Sequence, residues 1–362
     1  MTTGLLFLTL IAVAYQQLAH HWLRSTDQPP IHCAGWLDRH YPALPLTEVK
    51  HRLLSARPAA EDGGLPFYDL IMVVPSGGME GKLRRSSIRS AFKASLALVP
   101  WATARLFFIT SSSSGLAEEG ADMLPAPGCA DHDGGAEPTH GSSTTCKVLA
   151  GLTHVAAHYR AHFFVRGGDD AHFRVDQFLL RVAPRHVGAD RAPRERNFVM
   201  GNWFVPGPGS PTNNLESGYL RKAYGLWGWP RYPKGMGYIW GGAVAPALAA
   251  MHSMVGLADG FPEDGVSGLW VAGLSLTSVS RIDTPCFYNY NRLANSLSCR
   301  DEGLLVHYMT PYTWSLVDEN GRLPTHCGEV KSKCQELDPS DTGEGPGQSS
   351  GEDGGVAWVG QA

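Results

Sequence analysis

The densest concentration of reactive side chains in the chain is His162-Phe163-Phe164-Val165-Arg166-Gly167-Gly168-Asp169-Asp170. A short apolar run stops at two adjacent carboxylates. Strand interiors are apolar, so the switch to Gly-Gly-Asp-Asp reads as a buried strand delivering both carboxylates to the rim of a sheet. In open α/β sheets that rim, outside the carboxyl ends of the strands, is where ligands bind. Two carboxylates there can hold a hard divalent cation, and the cation can hold a diphosphate. A loop whose Asp caps the next helix fits the same spacing.

Basic residues stand where such a ligand would lie. Arg84, Arg85 and Arg89 open a helix that follows the first strand. Arginines near the ligand crevice suit a diphosphate or nucleotide, although an exposed helix face has the same composition. The preceding Gly77-Gly78-Met79-Glu80-Gly81-Lys82 is not a phosphate-binding P-loop. Its glycine spacing is one residue short, and Leu83 replaces the hydroxyl that would hold magnesium.

The elements that must position these groups alternate along the chain. Leu70–Val74 and Arg105–Thr110 read as buried strands. Between them a helix over 82–98 lines Leu83, Ile88, Phe92 and Leu96 on one face. Residues 111–143, rich in Ser, Gly, Pro and Asp, predict a long mobile loop. Thr144 can cap an amphipathic helix carrying Val148, Leu149, Leu152, Val155, Ala156 and Tyr159. Later segments 198–200 and 304–308 read as strands, and 243–255 and 264–274 as helices. Strand–helix alternation predicts an α/β fold, a mostly parallel sheet with helices on both faces.

Composition narrows the partners. The 362-residue chain has a formal net charge of -4, without the basic excess that nucleic acid binding requires. Gly4–Ala19 is almost wholly apolar and marginal for a membrane span. Residues 1–24 therefore read as a signal-anchor or a cleaved signal peptide, either of which places the remainder in the secretory lumen; a buried N-terminal helix is the third reading. Residues 25–66 read as a stem or linker, 67–335 as the folded domain, and 336–362 as a disordered acidic tail. The seven cysteines include no Cys-x-x-Cys pair, which disfavours structural zinc. Cys286 with Cys299, and Cys327 with Cys334, are plausible local disulfides, with one cysteine left over and the connectivity open.

Six ordered segments are similar to one family. Arg84-Arg85-Ser86-Ser87-Ile88-Arg89-Ser90-Ala91-Phe92 resembles the Arg-Arg-x-x-Ile-Arg-x-Thr-Trp segment of the β-1,3-glycosyltransferases, the galactosyl-, N-acetylglucosaminyl- and Fringe-type enzymes of glycosyltransferase family thirty-one. Lys147 matches the lysine that opens the family's next helix, and Arg166-Gly167-Gly168-Asp169-Asp170 is similar to its Lys-x-Asp-Asp-Asp motif. Tyr232-Pro233-Lys234-Gly235-Met236-Gly237-Tyr238 resembles its acceptor-side segment. Glu263-Asp264-Gly265-Val266-Ser267-Gly268 resembles its Glu-Asp-Val-x-x-Gly, and Leu305-Val306-His307-Tyr308 its late His-bearing strand. Three departures stand out: Gly168 replaces the first Asp of three, His172 replaces an aromatic residue, and Gly265 replaces a valine.

The resemblance implies a GT-A-type, Rossmann-like fold and inverting transfer of a hexosyl group, galactose or N-acetylglucosamine, from a UDP-sugar to a glycan hydroxyl. It implies Mn²⁺ on Asp170 and His307, Asp264 as base, and Arg85, Arg89, Lys147, Arg166 and Asp169 on the donor side. It also implies a Golgi membrane protein with a lumenal catalytic domain. Gly168 motivates an alternative, a non-catalytic sugar-nucleotide or glycan-binding relative.

Overall fold

The computed structural model describes residues 33–58, 64–77, 79–111, 120–129, 140–188, 190–204, 230–255, 263–275, 279–289, 303–307, 309, 314–315 and 317–323. Its strands are β1 (Phe67–Pro75), β2 (Ala104–Thr110), β3 (Met123–Pro125), β4 (Arg160–Gly167), β5 (Ala171–Phe173), β6 (Phe198–Phe204), β7 (Tyr232–Gly241), β8 (Ser280–Asp283), β9 (Phe287–Asn289) and β10 (Leu305–His307). The longer helices are α1 (Cys33–His40), α2 (Leu46–Ser55), α3 (Met79–Ala97), α4 (His140–His158), α5 (Val244–Val255) and α6 (Glu263–Ser275).

Seven strands form one sheet in the order β3-β2-β1-β4-β7-β6-β8. Strands β3, β2, β1 and β4 run parallel, β7 runs antiparallel to both neighbours, and β8 is parallel to β6. This is the expected α/β, Rossmann-like, mostly parallel sheet. Successive side chains of a strand point to opposite faces, so each strand contributes to two cores. Leu70, Met72 and Val74 of β1 join Phe163 and Val165 of β4 and Ile88 and Phe92 of α3 on one face. Ile71 and Val73 join Phe164 and Trp240, covered by Val148, Leu149, Leu152 and Val155 of α4 and by Trp270 of α6, on the other. Burial on both faces explains why β1, β2 and β4 are continuous apolar runs rather than alternating ones.

A second, three-stranded sheet in the order β5-β10-β9 sits at the rim where β4 ends. It places His307 opposite Ala171, beside the carboxylates that follow β4. Gly237 of β7 makes this junction possible. Its φ is +143°, and a Cβ there would lie 2.5 Å from Leu305 Cδ1 and 2.8 Å from the Arg166 carbonyl oxygen.

Several expectations need correction. Residues 33–55 are not stem: α1 and α2 pack Trp36, Leu37, Val49 and Leu53 into the first core. Each helix offers only two or three inward residues, too few to register as periodicity in a Pro- and His-rich stretch. The supposed loop over 111–143 contains β3, and α4 already begins at His140, so Thr144 lies inside the helix. Leu83 is 73% exposed rather than on the packed face of α3, because the inward stripe of that helix runs through Gly81, Arg85, Ile88 and Phe92. Cys286 bonds Cys33, not Cys299, and Cys129 bonds Cys146. The fold brings Cys33 and Cys286 together across 253 residues, which no local spacing could reveal. Cys299, Cys327, Cys334, the N-terminal apolar run and the acidic tail lie outside the described residues. Among the described residues no helix is long and apolar enough to cross a membrane.

Candidate active site

Two polar clusters meet where β1, β4 and β7 approach the rim. The first surrounds Ser76, the residue after β1. Arg85 donates from Nη1 to Ser76 Oγ and to the Gly77 carbonyl, both at 2.9 Å. Lys147, at the buried side of α4, donates to the Ser76 carbonyl at 3.0 Å. Ser76 Oγ in turn donates to Asp169 Oδ2 at 3.3 Å, and Arg84 pairs with Asp169 Oδ1 at 3.2 Å. A Cβ on Gly81 would lie 2.6 Å from Arg85 Nη1 and 2.7 Å from Ser76 Oγ. Gly81, in the first turn of α3, therefore leaves room for Arg85 to fold back over its own helix.

Asp170 belongs to the same rim. Its Oδ1 lies 3.1 Å from His307 Nε2, and its carbonyl accepts from the Met309 amide at 2.8 Å. Burial works against the charged carboxyl, but the His307 hydrogen bond and charge, with Arg84 adding, hold Asp170 below its ordinary value. Gly168 lies immediately beside this pair. Its φ is outside the left-handed region, and a Cβ there would lie 2.8 Å from Asp170 Oδ1 and 3.6 Å from His307 Cδ2.

The second cluster lies across β7. Arg166, buried on β4, donates from Nη1 to the Gly235 carbonyl at 2.5 Å and sets Nη2 3.0 Å from Glu263 Oε2. That contact is an ion pair without hydrogen-bond alignment. Glu263 Oε1 accepts from Ser267 Oγ at 3.2 Å, and Ser267 Oγ lies 2.5 Å from Tyr238 Oη. Burial pushes Glu263 up to about 7, Arg166 pulls it back, and Asp264 pushes it further up. Asp264 is also raised, first by burial, against hydrogen bonds that favour its charged form and the Arg166 charge. Its Oδ1 accepts from the Gly265 amide at 2.9 Å, within the first turn of α6. Acidic groups are favoured in a first turn by the helix dipole, so Asp264 also supports the start of α6.

Arg85, Lys147, Asp169, Asp170 and His307 are thus gathered on one rim. Arg166 faces the Asp264 cluster instead. Arg89 forms a two-handed ion pair with Asp122, Nε to Oδ2 at 2.6 Å and Nη2 to Oδ1 at 3.0 Å, beside β3. His172 replaces an aromatic residue by behaving as one. It is buried edge-on against Trp314 at 5.7 Å, and burial lowers its pKa to about 4, so it is neutral. Ser76 and Glu263 are site residues that the sequence did not single out. The position of Ser76 directly after a buried strand was the available signal, whereas nothing in its spacing marked Glu263 as more than a neighbour of Asp264.

No family model matches the chain, and no curated protein matches it. Among solved structures it is similar to the galactosyltransferase LgtC in complex with donor and acceptor sugar analogs, at 13% identity and TM-score 0.36, over 67% of this chain and 87% of that one. An active-site mutant of LgtC is similar at 14% identity and TM-score 0.36, over 67% and 88%. The fold assignment rests on the strand order and register described above.

Proposed function

We propose that this protein is an inverting glycosyltransferase of the β-1,3-glycosyltransferase type, moving a hexosyl group from a UDP-sugar to a glycan hydroxyl. The observation that carries this reading is the assembly of Asp170 and His307, from distant segments, on a rim ringed by Arg84, Arg85 and Lys147. Three cations around two carboxylates suit an anionic diphosphate that comes with a divalent ion.

The residues fit Mn²⁺ as a partial ligand set. Asp170 and His307 would supply one oxygen and one nitrogen, a mixture that suits Mn²⁺. Asp169 is engaged with Ser76 and Arg84, and among the described residues no group of three or more His, Cys, Asp or Glu gathers. The remaining ligands would be diphosphate oxygens and water, as for metals held by few carboxylates. When bound, the ion would neutralise charge on the departing UDP. Arg84, Arg85 and Lys147 would hold the diphosphate. Asp264 would accept the acceptor hydroxyl's proton as that oxygen attacks the anomeric carbon from the face opposite UDP. Burial raises its proton affinity, which strengthens it as a base.

The two disulfides support a secretory-lumen location, because such bonds persist in oxidising compartments. In this reading the N-terminal run anchors the chain in the Golgi membrane. A second reading, a sugar-nucleotide or glycan-binding relative without turnover, is favoured by Gly168, which removes one carboxylate beside Asp170. UDP release from UDP-Gal or UDP-GlcNAc, with Mn²⁺ or EDTA and a panel of glycan acceptors, separates the two. Mn²⁺-dependent, acceptor-stimulated release is expected. Tight UDP-sugar binding without release would favour the binding protein, and neither binding nor release would overturn both.

A further inference from the structure

The end of the sheet opposite the Ser76 rim holds a cavity of about 530 Å³, a size that falls within the roughly 300–1,000 Å³ of small-molecule sites. It opens where β1 and β4 begin and β7 ends, so β4 runs from this cavity to the candidate active site. Its charged lining residues are Arg160, which starts β4, and Arg196, two residues before β6; among the described residues no Asp or Glu lines it. Neither guanidinium pairs with a carboxylate among those residues. The Ser76 rim differs, because its cations share their space with Asp169 and Asp170.

The walls around the two arginines are fixed and neutral. A Cβ on Gly241 would overlap the Arg196 carbonyl, and one on Gly242 the Ala161 carbonyl, so glycine alone lets the end of β7 pack against both lining segments. His186 is held at both ring nitrogens, Nδ1 2.6 Å from the Glu195 carbonyl oxygen and Nε2 3.0 Å from the Tyr41 hydroxyl. Burial lowers the pKa of His162 to about 4 and lowers that of His186, so both are neutral near pH 7. The acids that act on these histidines are engaged elsewhere. Asp69 is gripped twice by Arg57, and the Glu195 carboxylate accepts from the Ala192 amide at 3.3 Å. Gly242, Ala243 and Pro246 also line the cavity, so the first turn of α5 opens on it. The leading amides of a helix have no partner within it and favour an anion. Phe67, Tyr159, Phe164 and Val187 supply an apolar wall.

We propose that this cavity is a second binding site, for a small organic anion: a phosphate or carboxylate carried on an apolar, aromatic body. Arg160, Arg196 and the start of α5 would hold the anionic group, and the apolar wall the body. The site is independent of the reading of the Ser76 rim as catalytic.

The test is calorimetry on the full chain with 2-naphthyl phosphate and 2-naphthoate as probes; the tighter of the two names the anionic group. Inorganic phosphate and 2-naphthol, each lacking one half of the recognised chemistry, should bind at least about tenfold more weakly than the tighter probe. Arg160→Gln combined with Arg196→Gln should weaken that probe by about tenfold or more, whereas Arg84→Gln, on the opposite rim, should leave it unchanged. Ala243→Trp reads the cavity and not the charge. Ala243 is exposed at the cavity wall, so the indole should block the space in a folded protein and abolish binding. Probe affinity unchanged in both the arginine double variant and Ala243→Trp would overturn the site. So would displacement of the probe by UDP, which would place it on the Ser76 rim, or binding of inorganic phosphate as tight as that of the naphthyl anions.

Discussion

Asp170 and Asp264 are chemically identical, both half-buried, and both stand where the sheet's rim opens, yet their proton affinities move in opposite directions. Burial disfavours the charged form of each. Asp170 overcomes it because His307 donates to it directly and Arg84 stands near. Arg166 acts on Asp264 but is paired with Glu263, and there burial prevails. What separates the two carboxylates is therefore the allocation of cations between two clusters, and under the proposed function this would divide a metal-holding carboxylate from a proton-accepting one. The Ser76 rim carries Arg84, Arg85 and Lys147 for its two aspartates, while the α6 cluster has one arginine for two acids.

The sharpest way to break this comparison is Asp264→Asn. If Asp264 is the base, kcat should fall by about 10²–10⁴-fold with donor affinity retained, the size typical of lost acid–base catalysis. The change keeps the side chain's shape and its acceptor for the Gly265 amide. A fall in thermal stability with turnover per folded molecule unchanged would assign Asp264 to helix support alone.

Asp170→Ala should act on the other side of the comparison, and on binding before rate. Mn²⁺-dependent UDP-sugar affinity, read by calorimetry, should drop about tenfold or more, a loss of 1.4 kcal/mol or greater. Affinity measured in EDTA should change little, because Arg84, Arg85 and Lys147 remain. Equal losses with and without Mn²⁺ would mean that Asp170 shapes the rim instead of holding an ion.

How much of this was legible beforehand depended on how each residue earns its place. Strands β1, β2 and β4 were readable because burial on both faces writes a continuous apolar run. Strand β8 alternates between half-buried and exposed positions, and β5 has three residues, so neither offers a run to detect. Asp169 and Asp170 were visible as carboxylates ending a strand. The engagement of Arg166 with Gly235 and Glu263 was not, because a residue two positions before Gly168 looks adjacent to the carboxylates in sequence. Its guanidinium reaches the Gly235 carbonyl of β7 and Glu263 of α6, elements distant in sequence. The partner of Cys286 was likewise hidden, since a bond between α1 and the residue before β9 is a consequence of both packing into the first core.

The smallest expected effect comes from Gly168→Asp, and it sharpens the comparison by adding charge to the rim alone. The backbone at Gly168 is outside the left-handed region, so Asp can adopt it. Space is the obstacle: the new Cβ would stand 2.8 Å from Asp170 Oδ1, and that carboxylate must rotate. Without a cation, two crowded carboxylates repel, which should lower thermal stability and raise the Asp170 proton affinity. Mn²⁺ relieves that repulsion, so the variant should regain the lost stability on Mn²⁺ addition and reach half-saturation at a lower concentration than wild type. An affinity gain of less than about tenfold is expected, because part of the attraction is spent moving Asp170 out of its His307 contact. Stability lowered equally with and without Mn²⁺ would show that the crowding, and not the missing charge, governs this position.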